Sequence, residues 1–165
     1  MQNINHYQSP IGGILLAADE TGLTGLWFEN QKYYGAGLNP EQEERDTPVL
    51  EQTKEWLRIY FTGKEPHFSP PVHLTGTPFQ LEVWKILQKI PYGNTVTYGE
   101  IAKEIAVLKG LPGMSAQAVG GAVGHNKISI IIPCHRVIGT NKSLTGYAGG
   151  IDKKRKLLAL EKADI

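Results

Sequence analysis

The sequence contains one cysteine, Cys134, and His135 and Arg136 follow it directly. A cysteine attacks as the thiolate, and a neighbouring histidine or arginine lowers the thiol pKa from about 8.5 into the physiological range. Side chains of adjacent residues seldom face each other, so His135 needs a water molecule or a turn to reach the sulfur. The pattern predicts a nucleophilic thiol. The alternatives are an inert buried cysteine after the apolar run 130–132, a core histidine, and an arginine in a structural salt bridge or a phosphate contact.

The cysteine count also limits the class of protein. One cysteine cannot form an internal disulfide or build a zinc site of the multi-cysteine type. A lone thiol stays reduced in the cytosol, so we expect a cytoplasmic protein. No stretch is apolar for long enough to span a bilayer, and residues 1–10 lack the regions of a secretory signal, so no membrane partner is expected.

Charge is divided unevenly along the chain, whose net charge is +1. Residues 1–76 carry five Lys/Arg against ten Asp/Glu, whereas residues 77–165 carry twelve against six. A basic C-terminal part favours a polyanionic partner. An uneven spread of solvated surface charge explains the same counts equally well.

Turn clusters divide residues 1–76 into short segments. Runs of β-favouring residues at 4–7, 14–17 and 23–29 predict a small antiparallel sheet. The polar stretch 35–48 is expected to be a loop, a helix is expected over 49–61, and residues 65–76, with three prolines, predict an extended linker. The expected domains are therefore 1–76 and 77–165.

Helix start signals are clear after residue 76. The segments 77–80 (Thr-Pro-Phe-Gln) and 97–100 (Thr-Tyr-Gly-Glu) have the form of capping boxes, and the second opens a helix that ends near Ala106. After a turn, Ser115 can cap a helix of small residues over 116–123. This spacing predicts a helix-turn-helix, although two ordinary core helices fit it too.

Short segments precede and follow the cysteine in the C-terminal part of the sequence. A brief apolar run, 129–132, precedes it, and a glycine-containing loop, 139–150, follows it. Asp152 is expected to cap a last helix that buries Leu157, Leu158 and Leu160.

Several of these segments resemble a known family. Residues 133–137 (Pro-Cys-His-Arg-Val) are similar to the active-site motif of the O6-alkylguanine-DNA alkyltransferases, also called methylated-DNA–protein-cysteine methyltransferases. Segments 97–102, 118–122 and 145–150, together with Asn126, accompany it in the family's order and spacing. The resemblance implies an α+β fold, with a small N-terminal RNase H-like antiparallel-sheet lobe and a mainly helical C-terminal domain with a helix-turn-helix.

The resemblance also implies the chemistry. Cys134 would take the alkyl group of O6-methylguanine, with O4-methylthymine as a further candidate substrate, in one stoichiometric (suicide) turnover. His135 would act through water as its base, held by Glu161. Tyr98 would donate a proton toward guanine N3, and Asn126 would be the hinge before the active-site loop. The base-binding groups would be the carbonyls of Cys134 and Val137, the Ala148 amide and Gly149, under a closing segment 143–150.

The implied partner is double-stranded DNA containing alkylated guanine, bound by a monomer without cofactor or metal. The implied DNA contacts come from the helix of small residues and its surroundings: Ser115, Ala116, Gln117, Ala118, Gly121 and Arg136. Small side chains would let that helix approach the minor groove closely, and tight packing in the core is the alternative. The family often has an arginine where Gln117 stands, and a proline after the asparagine where Lys127 stands.

Two other classes of protein are alternatives to an alkyltransferase. A non-catalytic module that binds alkylated DNA would carry another residue in place of Cys134. A Cys–His hydrolase would turn over and would place its histidine far away in sequence. His125 could take that role, but no hydrolase signature surrounds Cys134. Incubation with methylated DNA separates the three.

Overall fold

The computed structural model describes residues 1–163, which divide into two compact units. The first contains Met1–Thr75 together with Lys127–Ile131, and the second contains Gly76–Asn126 and the chain from Ile132 onward. The short segment 127–131 therefore belongs to the N-terminal unit, although it lies in the C-terminal half of the sequence. None of the helices in residues 1–163 combines the length and apolar content needed to cross a bilayer.

The first unit is built on a four-stranded sheet in the order β3-β2-β1-β4. Strands β1 (Gln2–Ser9), β2 (Gly12–Ala18) and β3 (Leu23–Phe28) pair antiparallel, which confirms the three expected strands. Strand β4 (Gln42–Glu44) pairs parallel to β1 inside the segment expected to be a loop. Its three residues are polar and exposed, and they pair only through the main chain at the edge of the sheet. The sequence therefore contains no hydrophobic pattern that would predict this strand.

Two segments that are not strands themselves, residues 71–73 and 127–129, form hydrogen bonds to the main chain of β3. Leu23 donates its amide to the Pro71 carbonyl at 2.8 Å and accepts from His73 at 2.7 Å. Leu26 donates to the Lys127 carbonyl at 2.8 Å and accepts from Ser129 at 3.0 Å. Residues 71–73 of the segment expected to be an extended linker are therefore hydrogen-bonded to the sheet, which the sequence did not predict.

One helix, α1 (Pro48–Tyr60), completes the first unit. Thr47 caps it through a bond from the Leu50 amide, and Pro48 occupies the first turn, where a missing N–H costs nothing. Trp56, Leu57 and Tyr60 are among its buried residues.

The second unit is mainly helical. Its helices are α2 (Pro78–Leu87), α3 (Tyr98–Lys109), α4 (Ala116–Gly124) and α5 (Ile151–Leu160). Two short 3-10 helices (Cys134–Arg136 and Thr140–Lys142) and a parallel pair of two-residue strands, β5 (Val96–Thr97) and β6 (Val137–Ile138), lie between them. Both expected capping boxes are present at Thr77 and Thr97.

Helices α3 and α4 form the expected helix-turn-helix. Helix α3 runs three residues beyond the expected end and stops where Gly110 adopts a left-handed conformation, φ 64°. Ser115 caps α4, and Val119, Ala122 and Val123 form its buried face.

Helix α5 differs from the expectation at its start. Asp152 does not cap it, because the helix begins at Ile151 after Gly150, whose φ of 99° suits a residue without a side chain. Asp152 lies in the first turn, where its carboxylate faces the positive end of the helix dipole. Leu157 and Leu158 are buried, while Leu160 is half-buried.

Candidate active site

Cys134 lies at the start of the short 3-10 helix and is 5% exposed. Its amide donates to the Ile132 carbonyl at 2.8 Å. Burial raises the pKa of the thiol, and a hydrogen bond with Asn126 and the charge of Lys154 oppose that rise only in part. The expectation that His135 and Arg136 lower this pKa is wrong, because both side chains are engaged elsewhere.

Glu161 is the group that engages them. It lies at the C-terminal end of α5, and its Oε2 is 2.7 Å from His135 Nε2. Arg136 donates from Nε to Oε1 at 2.8 Å and from Nη2 to Oε2 at 3.0 Å. All three side chains are buried. Burial alone would favour the neutral acid, but the hydrogen bonds from His135 and Arg136, together with the charge of the Arg136 guanidinium, bring the pKa of Glu161 down to about 2.

The protonation state of His135 follows from this environment. Burial lowers its pKa, with Glu161 opposing, so the imidazole is neutral near pH 7. Because the ionised carboxylate can only accept, Nε2 carries the proton and Nδ1 holds the lone pair. Nδ1 makes no hydrogen bond to another residue within 1–163. The basic nitrogen is therefore the one that points away from Glu161.

Arg136 is not placed as a DNA contact. Besides its two bonds to Glu161, it donates from Nη1 to the Ile90 carbonyl at 2.7 Å, and its guanidinium lies 5.7 Å from the centre of the Tyr92 ring. The side chain is 8% exposed. The expectation of a phosphate contact is wrong here, and the alternative of a structural salt bridge describes the residue.

Tyr98 and Asn126 flank the cysteine segment from two other elements. Tyr98, the first residue of α3, donates its hydroxyl to the Thr145 carbonyl at 3.1 Å. Burial and the nearby Cys134 raise the pKa of Tyr98, so its phenol stays protonated. Asn126 follows α4, donates to the Ile132 carbonyl at 2.8 Å and hydrogen-bonds with Cys134. It therefore ties the end of α4 to the segment that holds the sulfur.

Sequence reasoning missed Lys154. This side chain is fully buried, and its Nζ donates to the carbonyls of Val137 at 2.5 Å, Thr145 at 2.9 Å and Gly146 at 3.3 Å. Burial lowers its pKa to about 8, with Cys134 acting in the opposite direction. In the sequence it stands in a run of basic residues that suggests a solvated surface. The available signal was helical spacing, since residue 154 lies three positions before Leu157 and four before Leu158.

The expected base-binding positions lie in the second unit. Ala148 and Gly149 are half-buried in a turn closed by a bond from the Gly150 amide to the Tyr147 carbonyl at 2.9 Å. The Val137 carbonyl accepts from Lys154, and a carbonyl has a second lone pair for a substrate donor. The Cys134 carbonyl likewise accepts the Val137 amide.

The remaining expected DNA contacts share one exposed surface, hereafter the α4 face: Ser115, Ala116, Gln117, Ala118 and Gly121. The Ser115 hydroxyl accepts from the amides of Gln117 at 3.1 Å and Ala118 at 3.2 Å. A Cβ added at Gly121 would meet no atom within 4 Å. Packing within the chain therefore does not require glycine there, although a mid-helix glycine costs about 1 kcal/mol relative to alanine.

Residues 1–163 contain no group of three or more His, Cys, Asp or Glu side chains arranged to hold a metal ion. The absence of a metal and of a cofactor stays a prediction.

A buried thiol beside a carboxylate-bound histidine, in a domain with a helix-turn-helix, is the arrangement of a DNA-binding protein with a reactive cysteine. Residues 78–163 match the family described as 6-O-methylguanine DNA methyltransferase, DNA binding domain, and residues 5–74 match its ribonuclease-like domain. A methylated-DNA–protein-cysteine methyltransferase of Haemophilus influenzae is 42% identical over 159 residues, covering 95% of this chain and 84% of the relative.

A relative of the same name from Mycobacterium tuberculosis is 46% identical over 161 residues, covering 96% of this chain and 93% of the relative. Among solved structures, Mycobacterium tuberculosis OGT in complex with DNA is 44% identical with a TM-score of 0.83, covering 97% of this chain and 92% of that one. The chain belongs to the 6-O-methylguanine DNA methyltransferase family. Its function is the repair of alkylated DNA by transfer of the alkyl group to the protein, and the expected fold class is confirmed.

Proposed function

We propose that Cys134 is the acceptor of the alkyl group and that His135, held by Glu161, is its base. The observation that carries this assignment is the position of the only thiol in the chain, next to a neutral histidine whose Nε2 is bound by Glu161 at 2.7 Å. A second candidate thiol does not exist in the sequence.

The reaction is a displacement at the alkyl carbon. The sulfur of Cys134 forms a bond to that carbon while the bond from carbon to guanine O6 breaks, and its electron pair stays with the guanine. His135 Nδ1 takes the thiol proton through a water molecule, and the ionised Glu161 stabilises the imidazolium that results. This step compensates for the raised pKa of the buried thiol.

The departing guanine gains negative charge and needs a proton or a donor. Tyr98 supplies it toward N3, because its raised pKa keeps the phenol protonated. In the free protein this hydroxyl donates to the Thr145 carbonyl, so it must exchange partners when the base enters.

Double-stranded DNA is the proposed partner, and the target nucleotide must leave the stack. The thiol is buried in its turn, so a stacked base cannot present its O6 substituent to the sulfur. The α4 face enters the minor groove, where its small side chains permit close approach and Gln117 fills the gap left by the base. Asn126 is the hinge between that helix and the cysteine segment.

Transfer is stoichiometric, because a thioether is a poor leaving group and no other thiol can remove the alkyl group. The thiol must be reduced to react, which favours a cytoplasmic location. One chain holds all the proposed catalytic groups, so a monomer suffices.

The test is to mix the protein with an equimolar duplex oligonucleotide containing one O6-methylguanine. The Cys134 peptide should gain the mass of one CH₂, and Cys134→Ala should bind the duplex without gaining it. Repair of more than one equivalent of DNA per protein would contradict the proposal, and binding without transfer by the parent protein would indicate a damage-binding module instead.

A further inference from the structure

Lys154 is a buried cation that the mechanism above does not use. A charged ammonium is costly to bury unless its hydrogen bonds are satisfied. Here its three protons are directed at three main-chain carbonyls, and the ring of Tyr98 lies 5.9 Å from Nζ. A methionine of similar length would fill the same space without the charge.

The three carbonyls belong to two separate segments. Val137 is in β6, directly after the 3-10 helix that begins with Cys134. Thr145 and Gly146 are in the segment 143–150, hereafter the covering segment. The Tyr98 hydroxyl also donates to the Thr145 carbonyl. The Lys154 ammonium therefore connects β6 to the covering segment. It also shares the Thr145 carbonyl as an acceptor with Tyr98, the proposed proton donor.

We propose that Lys154 is a positioning residue whose ammonium fastens the covering segment to β6 and so fixes the walls between which the alkylated base must sit. This inference rests on the proposed function, since it concerns the same reaction. The lysine does not need to touch the substrate. A misplacement of about 1 Å in such a site costs on the order of 100-fold in rate.

The charge state of Lys154 makes the fastening sensitive to pH. Its pKa of about 8 means that the ammonium loses a proton in mildly alkaline solution, leaving two donors for three acceptors. The titratable groups that face it are Tyr98 from α3, and Cys134 and His135 from the 3-10 helix. Tyr98 and the Cys134 thiol, both with raised pKa values, stay protonated there, and His135 is already neutral, so the change near pH 8 belongs to the lysine.

The test compares the parent protein with Lys154→Met and with Lys156→Met, an exposed lysine on the same helix. Rate constants are measured with duplex O6-methylguanine and with free O6-benzylguanine, alongside Tm and the amide NMR signals of residues 143–150. We expect Lys154→Met to react on the order of 100-fold more slowly with both substrates. Its Tm should stay within about 4 °C of the parent, because the charge it removes was costly to bury. Lys156→Met should match the parent.

Other outcomes overturn the inference. A parent-like rate for Lys154→Met means that the ammonium positions nothing. A loss of more than about 10 °C in Tm, or a failure to fold, means that the lysine supports the fold instead. A titration of the parent protein is a separate check: the amide signals of 143–150 must shift with the same midpoint as the Lys154 side-chain signal, near pH 8, and signals that do not follow that midpoint also overturn the inference.

The two proposals fail in distinguishable ways. If the parent protein does not methylate Cys134, the proposed function is wrong. If the parent reacts and the covering-segment signals do not follow the lysine titration, the proposed function stands and the role of Lys154 is wrong.

Discussion

Two regions of the C-terminal unit use opposite kinds of residue. The interior around the cysteine, hereafter the buried cluster, is made of ionisable side chains: Cys134, His135, Arg136, Lys154 and Glu161. The α4 face, proposed to meet a polyanion, carries no charged side chain. Under the proposals above, the ionisable groups of the buried cluster serve the chemistry and the fixing of loops, whereas the proposed DNA surface depends on small side chains.

This contrast corrects the argument from charge counts. Two of the twelve basic residues after position 76, Arg136 and Lys154, are buried and cannot meet phosphates. The remaining ten still favour a polyanion, but less strongly than the raw count does. A sequence count treats every charged residue as a surface residue, and here it miscounts two of the twelve basic residues and, with Glu161, one of the six acidic residues.

The contrast also separates two kinds of mutation. Changes in the buried cluster should slow transfer to Cys134 from any substrate, because they affect the reaction itself. Changes on the α4 face should slow transfer from duplex DNA and leave free O6-benzylguanine unaffected, since a free base needs no flipping.

Replacement of Glu161 should have the largest effect. Glu161→Gln leaves His135 without an anionic partner and Arg136 as a buried charge without a counter-ion. We expect transfer to fall by about 10²–10⁴ with both substrates, and the free energy of unfolding to fall by about 3–5 kcal/mol. Single-turnover assays and urea unfolding measure the two quantities.

The matched control is Glu104→Gln, which removes the charge of an exposed glutamate on α3. It should change neither quantity beyond about 0.5 kcal/mol. A folded Glu161→Gln protein that reacts at the parent rate would show that His135 does not depend on its carboxylate, and would remove Glu161 from the mechanism.

The buried cluster should also set the acid limit of stability. The folded-state pKa of Glu161 is depressed to about 2, so its stabilisation is complete above its unfolded pKa of about 4.5 and is lost as the pH falls towards 2. This change amounts to about 3 kcal/mol. The pKa of His135 is also lowered, so the unfolded chain binds its proton first and stability starts to decline below about pH 6.5.

Urea midpoints measured from pH 7 to pH 3 check this expectation. Trp84, which is fully buried in α2, contributes to the fluorescence that reports unfolding. Stability that stays constant between pH 5 and pH 3 would mean that Glu161 is not ionised by its two partners in the folded protein.

The structure shows which parts of the chain can be predicted from local sequence. The capping boxes predicted the starts of α2 and α3, because each box joins residues that lie within four positions of one another in the sequence. The pairing of β3 with residues 71–73 and 127–129 was not predictable, since those bonds join positions far apart in sequence. The same limit applies to the site. The pair of His135 and Glu161 followed from family resemblance, whereas the inward turn of Arg136 depends on the Ile90 carbonyl, 46 residues away.

On the α4 face, Gly121 offers the cleaner test. Gly121→Ala should stabilise the helix by about 0.5–1 kcal/mol, because the new methyl group meets nothing within 4 Å in the free protein. Gly121→Leu should lower the rate on duplex DNA by about tenfold, the equivalent of 1.4 kcal/mol of lost binding, and leave the rate on free O6-benzylguanine unchanged. If the leucine variant repairs duplex DNA at the parent rate, the α4 face does not approach the DNA closely.

The smallest effect is expected at Gln117, where the family often has arginine. A side chain inserted into the duplex holds the base out by filling the vacated space and bonding the orphaned partner base. Arginine does so with a long stem, a planar guanidinium and a charge suited to the negative groove. Glutamine keeps a planar amide but loses the charge and part of the stacking area. Gln117→Arg should therefore raise the duplex rate severalfold and Gln117→Ala should lower it, with free O6-benzylguanine reacting equally in all three proteins. Because Gln117 is exposed and donates only its main-chain amide to the Ser115 cap, neither change should disturb α4. Equal duplex rates for the three proteins would mean that Gln117 stays in solvent and that the small residues of the α4 face open the duplex without it.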